Sequence, residues 1–271
     1  MTNIRLIGLP TDINSSFERG AAKAPRAIRA ALFSDRGNMA SEAGLEAGTD
    51  FHLIDVGDLP LTEDTPSDDK LIRDAVEAAQ VAGEMPLCLG GDHAVSYPIL
   101  QAIAGFHGPV DILHIDAHPD TYDDFSGNPR SHASPFARIM ETGLARRLVQ
   151  VGIRTMNHHC RAQAARFGIE TIGMRAFDVQ SVLSFDRPTY ISIDLDGIDP
   201  AYAPGVSHPE PGGLTVREVL ALIARITGPI VGADIVELNP DRDIGGVTAI
   251  LAAKLVREVA AQAHFNNGGR Q

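Results

Sequence analysis

Short apolar runs, each followed by a stretch of helical periodicity, constrain this chain more than any other feature. Residues 4–9, 52–56, PLCLGG, 110–116, 148–153, 189–196 and PIVGADIVEL have the composition of strands. Alternating with them, residues 24–33, 68–83, HAVSYPILQAIAGF, SPFARIMETGLA, NHHCRAQAARFG, TVREVLALIARITG and TAILAAKLVREVAAQA carry apolar residues at helical spacing. Several of the strands are apolar on both faces, so neither face can meet water. The pattern predicts an α/β fold with a parallel sheet covered on both sides by helices. No repeat, low-complexity linker or composition break interrupts the 271 residues, which predicts one domain over 1–271. Residues 34–50 are expected to form a surface excursion and 264–271 a loose tail.

Charge and composition exclude several functions. A formal charge of -12 provides no basic patch to displace counterions, so no nucleic-acid partner is expected. No run approaches the roughly 18 apolar residues of a membrane span, and the N-terminus lacks the pattern of a secretion signal. The two cysteines make no disulfide framework, from which a cytoplasmic location is expected. An acidic surface suits a small cationic substrate.

In open parallel sheets, ligands bind beyond the carboxyl ends of the strands. There the sequence places DILHIDAHPDTYDD, residues 111–124. Side chains alternate along a strand, so Asp116, His118 and Asp120 share a side while the chain stays extended. SIDLDGIDP repeats the device with Asp194 and Asp196, and His93 follows GGD at a third strand end. Unpaired carboxylates at such depth cost several kcal/mol each, and Lys and Arg are scarce nearby. The six side chains are therefore candidate metal ligands. Their four carboxylates balance two divalent ions, and oxygen donors with two imidazoles favour Mn2+. A water shared by two ions is acidified into a nucleophile. Asp123 and Asp124 are expected to be solvated loop acids, Asp199 a turn residue, and His158, His159 and Cys160 surface residues. Asp92 is a turn cap or a partner of a metal ligand.

GGDH (90–93), DAHPD (116–120) and SIDLDGIDPAYAPG (192–205) resemble the signatures of the ureohydrolases, the arginases, agmatinases and their relatives. SSFERGAAKAPRAIRAAL, SHASPFARIMETGLARRLVQVGIR and GVSHPEPGGLTVREVL look most like plant-type arginases. The resemblance implies a three-layer α/β/α, arginase-like fold, a homo-oligomer (trimer or hexamer), and release of urea from a guanidino compound. It implies that His93, Asp116, Asp120 and Asp194 hold one manganese and Asp116, His118, Asp194 and Asp196 the other, with Asp116 and Asp194 bridging. Glu237, after the strand GADIVE, has the fork geometry for a guanidinium, as its family counterpart does. His132 in SHAS matches the family's proton-shuttling histidine. Asn128, Ser131 and His208 are further candidates for the substrate pocket. Arginine is the expected substrate, with agmatine or another guanidino acid as the alternative. Tyr122 stands where animal arginases carry an Asn, which argues against their mode of gripping the amino-acid end. Phosphoester chemistry lacks its cationic clamp here, and an inactive metal-binding scaffold is the third reading.

Overall fold

A computed structural model describes residues 1–182 and 184–268. Eight strands form one sheet: β1 (Asn3–Gly8), β2 (His52–Asp58), β3 (Met85–Leu89), β4 (Val110–Ile115), β5 (Ala145–Ile153), β6 (Glu170–Gly173), β7 (Thr189–Asp194) and β8 (Ile230–Val236). Their order is β2-β1-β3-β8-β7-β4-β5-β6, and every pair is parallel. Strand β6 has no counterpart among the expected strands. Its sequence, ETIG, is half-exposed at the sheet edge and supplies no apolar run to betray it.

Helices α1 (Ala24–Leu32), α6 (Val216–Ile223) and α7 (Val247–Asn266) cover one face, meeting Leu87, Leu113, Ile115, Ile191, Ile193 and Ile235 in a single core. Helices α2 (Thr65–Val81), α3 (Ser96–His107), α4 (Pro135–Glu141) and α5 (His158–Phe167) lie on the other, over Cys88, Ile112 and Tyr190. This is the expected three-layer α/β/α arrangement. Helix starts follow the sequence: Asp64 and Asn157 cap α2 and α5, and Thr215 with Glu218 forms a capping box on α6. The first residues of the expected loose tail are ordered. Helix α7 runs through Asn266, and the Asn267 amide donates to Ile230 O at 2.9 Å. Residues 269–271 lie outside the described residues.

On the face of α2 to α5 the core changes character as the strands approach their carboxyl ends. The register aligns Cys88, Asp234, Ser192, His114 and Gln150 across β3, β8, β7, β4 and β5. This row is fully buried, and the candidate ligands Asp116 and Asp194 stand one residue pair further along.

Candidate metal centre

All six candidate ligands converge at the carboxyl ends of β3, β4 and β7. Beyond Ile115 and Asp194 the chain leaves the sheet, so pleating alone does not orient Asp120 or Asp196. Asp120 sits at φ 50°, a left-handed conformation costly for a non-glycine residue. It is held there as its carbonyl accepts Phe136 N–H at 3.0 Å. Glu237 is also left-handed, at φ 65°, with its N–H donated to Gly91 O at 2.9 Å. Gly91 has no substitute: a Cβ there would lie 1.6 Å from Thr11 O.

The clearest test of metal binding is His93. Ser192 Oγ donates to Asp234 Oδ1 at 2.7 Å and therefore accepts from His93 Nε2–H at 2.9 Å. Asp234 is itself anchored by Ser96 Oγ and Tyr190 OH, each 2.5 Å from Oδ2. With its proton committed to Nε2, His93 turns the Nδ1 lone pair toward Oδ2 of Asp116, Asp120 and Asp194, at 3.2, 3.1 and 3.1 Å. That buried nitrogen has no hydrogen-bond partner. A lone pair ringed by three carboxylate oxygens is repulsive until a cation sits between them, so the residues fit a metal ion.

A second group adjoins the first through Asp116. His118 Nδ1 lies 3.0 Å from Asp196 Oδ2 and 3.5 Å from Asp116 Oδ1, and ligand atoms of the three converge closely enough to hold one ion. Asp116 thus belongs to both groups. Asp194 closes only with the first, and its Oδ1 accepts Asp196 N–H at 2.8 Å. Charge crowding is evident in the titrations. Burial and then the charges of Asp196 and Asp116 push Asp194 well up, while burial foremost lifts Asp196 to about 6. Burial opposes an imidazolium at His93, yet without an ion its three carboxylate neighbours outweigh it and raise its pKa well above the ordinary value, so that in the ion-free protein a proton on Nδ1 takes the place between them that a metal ion would fill.

A cleft of about 220 Å³ opens over these groups, lined also by Ser16, Tyr122, Phe125, Thr155, His132, His208 and Glu237. His132 and Glu237 face each other, Nδ1 to Oε1, at 2.9 Å, and the same oxygen accepts His93 N–H at 2.9 Å. Burial opposes the charge on His132, but Glu237 prevails and lifts it to about 9. His208 stands at the wall, its ring 5.1 Å from that of His132. No Lys or Arg lines the cleft among the described residues.

Two of the predicted pocket residues do not reach the cleft. Asn128 turns its amide to Asn14 Oδ1 at 3.1 Å, and Ser131 is buried under its loop with Oγ accepting Ala133 N–H at 3.3 Å. Both sit on a loop whose path cannot be read from its composition. Arg130 is engaged by Asp69 at 2.7 Å and stacks over Tyr97. Cys160 is buried against the cleft, contrary to the surface position expected of it, because Asn157 starts α5 so that its third residue points inward. His158 and His159 are exposed, Asp123 and Asp124 remain on the surface, and Asp199 caps its turn through the N–H of Ala201, Gly212 and Gly213. Asp92 caps the turn through Ala94 N–H and also accepts Asn14 N–H at 2.9 Å. Burial, then the Glu237 charge, raises it to about 7.

Residues behind the ligands escaped the sequence reading. His114 accepts from Gln150 Nε2 at Nδ1 (3.1 Å) and so donates from Nε2 to Asp116 Oδ2 at 2.8 Å. Burial holds His114 below its ordinary pKa, in keeping with that neutral form. His114 and Ser192 share the strand parity of Asp116 and Asp194, the one signal that marks them in the sequence.

The family model described as the arginase family matches residues 2–261. The chain is 50% identical to arginase 1, mitochondrial, of Arabidopsis thaliana, covering 95% of this chain and 80% of that protein. It is 39% identical to agmatinase, mitochondrial, of Gallus gallus, covering 93% and 78%. The solved structure of arginase from Medicago truncatula superposes with a TM-score of 0.92 at 44% identity, covering 97% of this chain and 87% of that one. These relatives correct the expected cytoplasmic location, since the plant proteins are named mitochondrial or chloroplastic/mitochondrial. Two free cysteines do not by themselves choose a compartment.

Proposed function

The chain belongs to the arginase family, and from that premise we propose that it is a binuclear manganese hydrolase converting L-arginine to L-ornithine and urea. One observation carries the reading. The two-part carboxylate–histidine centre and the Glu237–His132 pair open into the same cleft, which has carboxylates and, among the described residues, no Lys or Arg. Such a cleft attracts a guanidinium and repels a phosphate.

His93, Asp116, Asp120 and Asp194 would hold one ion, and Asp116, His118 and Asp196 the other, with Asp116 between them; the second bridging role, for Asp194, stays with the proposal. When bound, two divalent ions supply an acidified water and stabilise developing negative charge. The chain's own residues do the rest. Glu237 accepts from the guanidinium, with Oε1 already fixed by His93 N–H and His132, so that Oε2 is the oxygen available to the substrate. His132 supplies the proton that the leaving amine requires. Tyr122 and Thr155 line the part of the cleft left to the far end of the substrate, and His208 closes the wall. Asn128 and Ser131 act at most through the loop that carries His132. A single ureohydrolase unit, assembled as a trimer or hexamer, is part of the same reading.

Agmatine differs from arginine only by the α-carboxylate, and the cleft's lack of a cation keeps it as the second substrate to test. Urea release by manganese-loaded protein, with L-arginine and agmatine at equal concentrations in parallel, decides. Faster turnover of arginine is expected. Faster turnover of agmatine would reassign the enzyme as an agmatinase, and urea from neither would refute the proposal.

A further inference from the structure

The loop between β1 and α1 forms part of the cleft that the ligands and Glu237 leave without a role. It grips His132 three times. His132 N–H donates to Asn14 O at 3.1 Å, Ser16 N–H reaches His132 Nε2 at 3.2 Å, and Ser16 Oγ lies 2.8 Å from the same Nε2. The loop itself is pinned at both ends. Asn14 N–H donates to Asp92 Oδ2 at 2.9 Å, and Asp12 Oδ2 accepts the N–H of Gly20 and Ala22 at 2.7 and 3.2 Å. Ser16 is exposed in the mouth of the cleft, so its hydroxyl faces both His132 and whatever the cleft holds.

Glu237, His132 and Ser16 therefore form a continuous chain of hydrogen bonds, Oε1 to Nδ1 at 2.9 Å and Nε2 to Oγ at 2.8 Å. A hydroxyl both donates and accepts, which is what the free side of a proton-carrying imidazole needs. When His132 is neutral with Nδ1–H on Glu237, Ser16 O–H donates to Nε2. When His132 is an imidazolium, Nε2–H donates to Ser16 Oγ, and the Ser16 O–H turns toward the cleft. The backbone N–H of Ser16, the other group on Nε2, can only donate.

Resting on the guanidino-hydrolase reading above, we propose that Ser16 is a further catalytic residue, passing a proton from His132 Nε2 to the leaving amine. The scissile C–N bond breaks with its electron pair going to nitrogen. That nitrogen takes the Ser16 hydroxyl proton as Oγ takes the proton of Nε2. His132 returns to neutral with Nδ1–H on Glu237, and the proton it had carried derives from the water consumed in the attack. Each proton moves along a hydrogen bond, and only water is consumed besides the substrate.

The test compares manganese-loaded wild type, Ser16→Ala and Ser16→Thr on L-arginine and on L-canavanine, whose leaving nitrogen carries an oxygen and is a far weaker base. Ser16→Ala is expected to lose about 10²-fold in kcat on arginine, the scale of one general acid, with KM nearly unchanged. On canavanine its kcat stays close to wild type, because a weakly basic leaving group departs with little proton donation. Ser16→Thr, which keeps the hydroxyl, restores arginine turnover. Equal losses on both substrates, no loss on arginine, or failure of Ser16→Thr to rescue at normal metal content would each overturn the relay. Wild type that releases urea from neither compound overturns the underlying activity, and the relay with it.

Discussion

Replacing Ser192 by Ala should weaken metal binding without touching the cleft, and the structure sets the size of the effect. Ser192 Oγ stands between Asp234 Oδ1 (2.7 Å) and His93 Nε2 (2.9 Å), and all three side chains are fully buried. Its loss leaves His93 Nε2–H without an acceptor and strips Asp234 of one of its three hydroxyl donors. An unsatisfied buried donor costs about 1–3 kcal/mol, which should lower Tm by several degrees in a chain of this size. The second consequence is that nothing then holds the neutral ring in the Nε2–H tautomer that metal binding needs. A proton on Nδ1 competes with the ion for the lone pair that faces Asp116, Asp120 and Asp194. Loss of such an orienting partner weakens metal binding by about 10–100-fold, equivalent to about 1.4–2.8 kcal/mol. The assay is calorimetric titration of Mn2+ into chelator-treated protein, paired with urea release against free Mn2+. The midpoint should move by one to two decades, and saturating Mn2+ should restore kcat, because Ser192 does not line the cleft. An unchanged midpoint, or a loss of kcat that no concentration of Mn2+ recovers, would refute the reasoning.

Asp116→Asn should abolish tight binding of both ions and activity together, since Asp116 is the residue common to the two ligand groups; two tightly held ions in the variant, measured by elemental analysis, would dismiss the bridge. His132→Asn should retain both ions and lose about 10²-fold or more in kcat, and an unchanged rate would remove His132 from the reaction. Because the folded-state pKa of His132 is lifted to about 9, its pairing with Glu237 stabilises the fold fully below the ordinary histidine range and loses that contribution as pH rises through about 9. Denaturant titrations of chelator-treated wild type and His132→Asn should therefore converge above that pH, and a constant gap would contradict the pairing. Gly91→Ala should misplace the β1–α1 loop and Glu237 together, because its Cβ would meet Thr11 O at 1.6 Å; a variant with normal Tm and turnover would disprove that close approach.

Much of the centre was legible because strand parity is local. Alternation puts Asp116 on the side of His114, and Asp194 on the side of Ser192, whatever the rest of the chain does. The glycines of GGDH likewise announce a tight strand end. Residues on loops behaved differently. Asn128 and Ser131 look like pocket residues by proximity to His132, yet the loop turns them to Asn14 and inward. Cys160 looks superficial until α5 docks it against the cleft. The short edge strand β6 carried no apolar run, and the compartment is not encoded in the properties of a folded domain at all.

The sequence by itself determined the layered α/β fold, the identity of six residues that the tertiary structure brings into one centre, and the acidic character of their cleft. Each follows from periodicity or residue type within a few neighbouring positions. Only the tertiary structure decided that Asp234, Ser192 and His93 form one chain of hydrogen bonds, that Asp116 belongs to both ligand groups, and that Ser16 sits on His132 across 116 residues. Those outcomes depend on the register between strands distant in sequence and on how a loop closes over the sheet end. Both are set by the packing of the whole chain, and no local pattern carries that information.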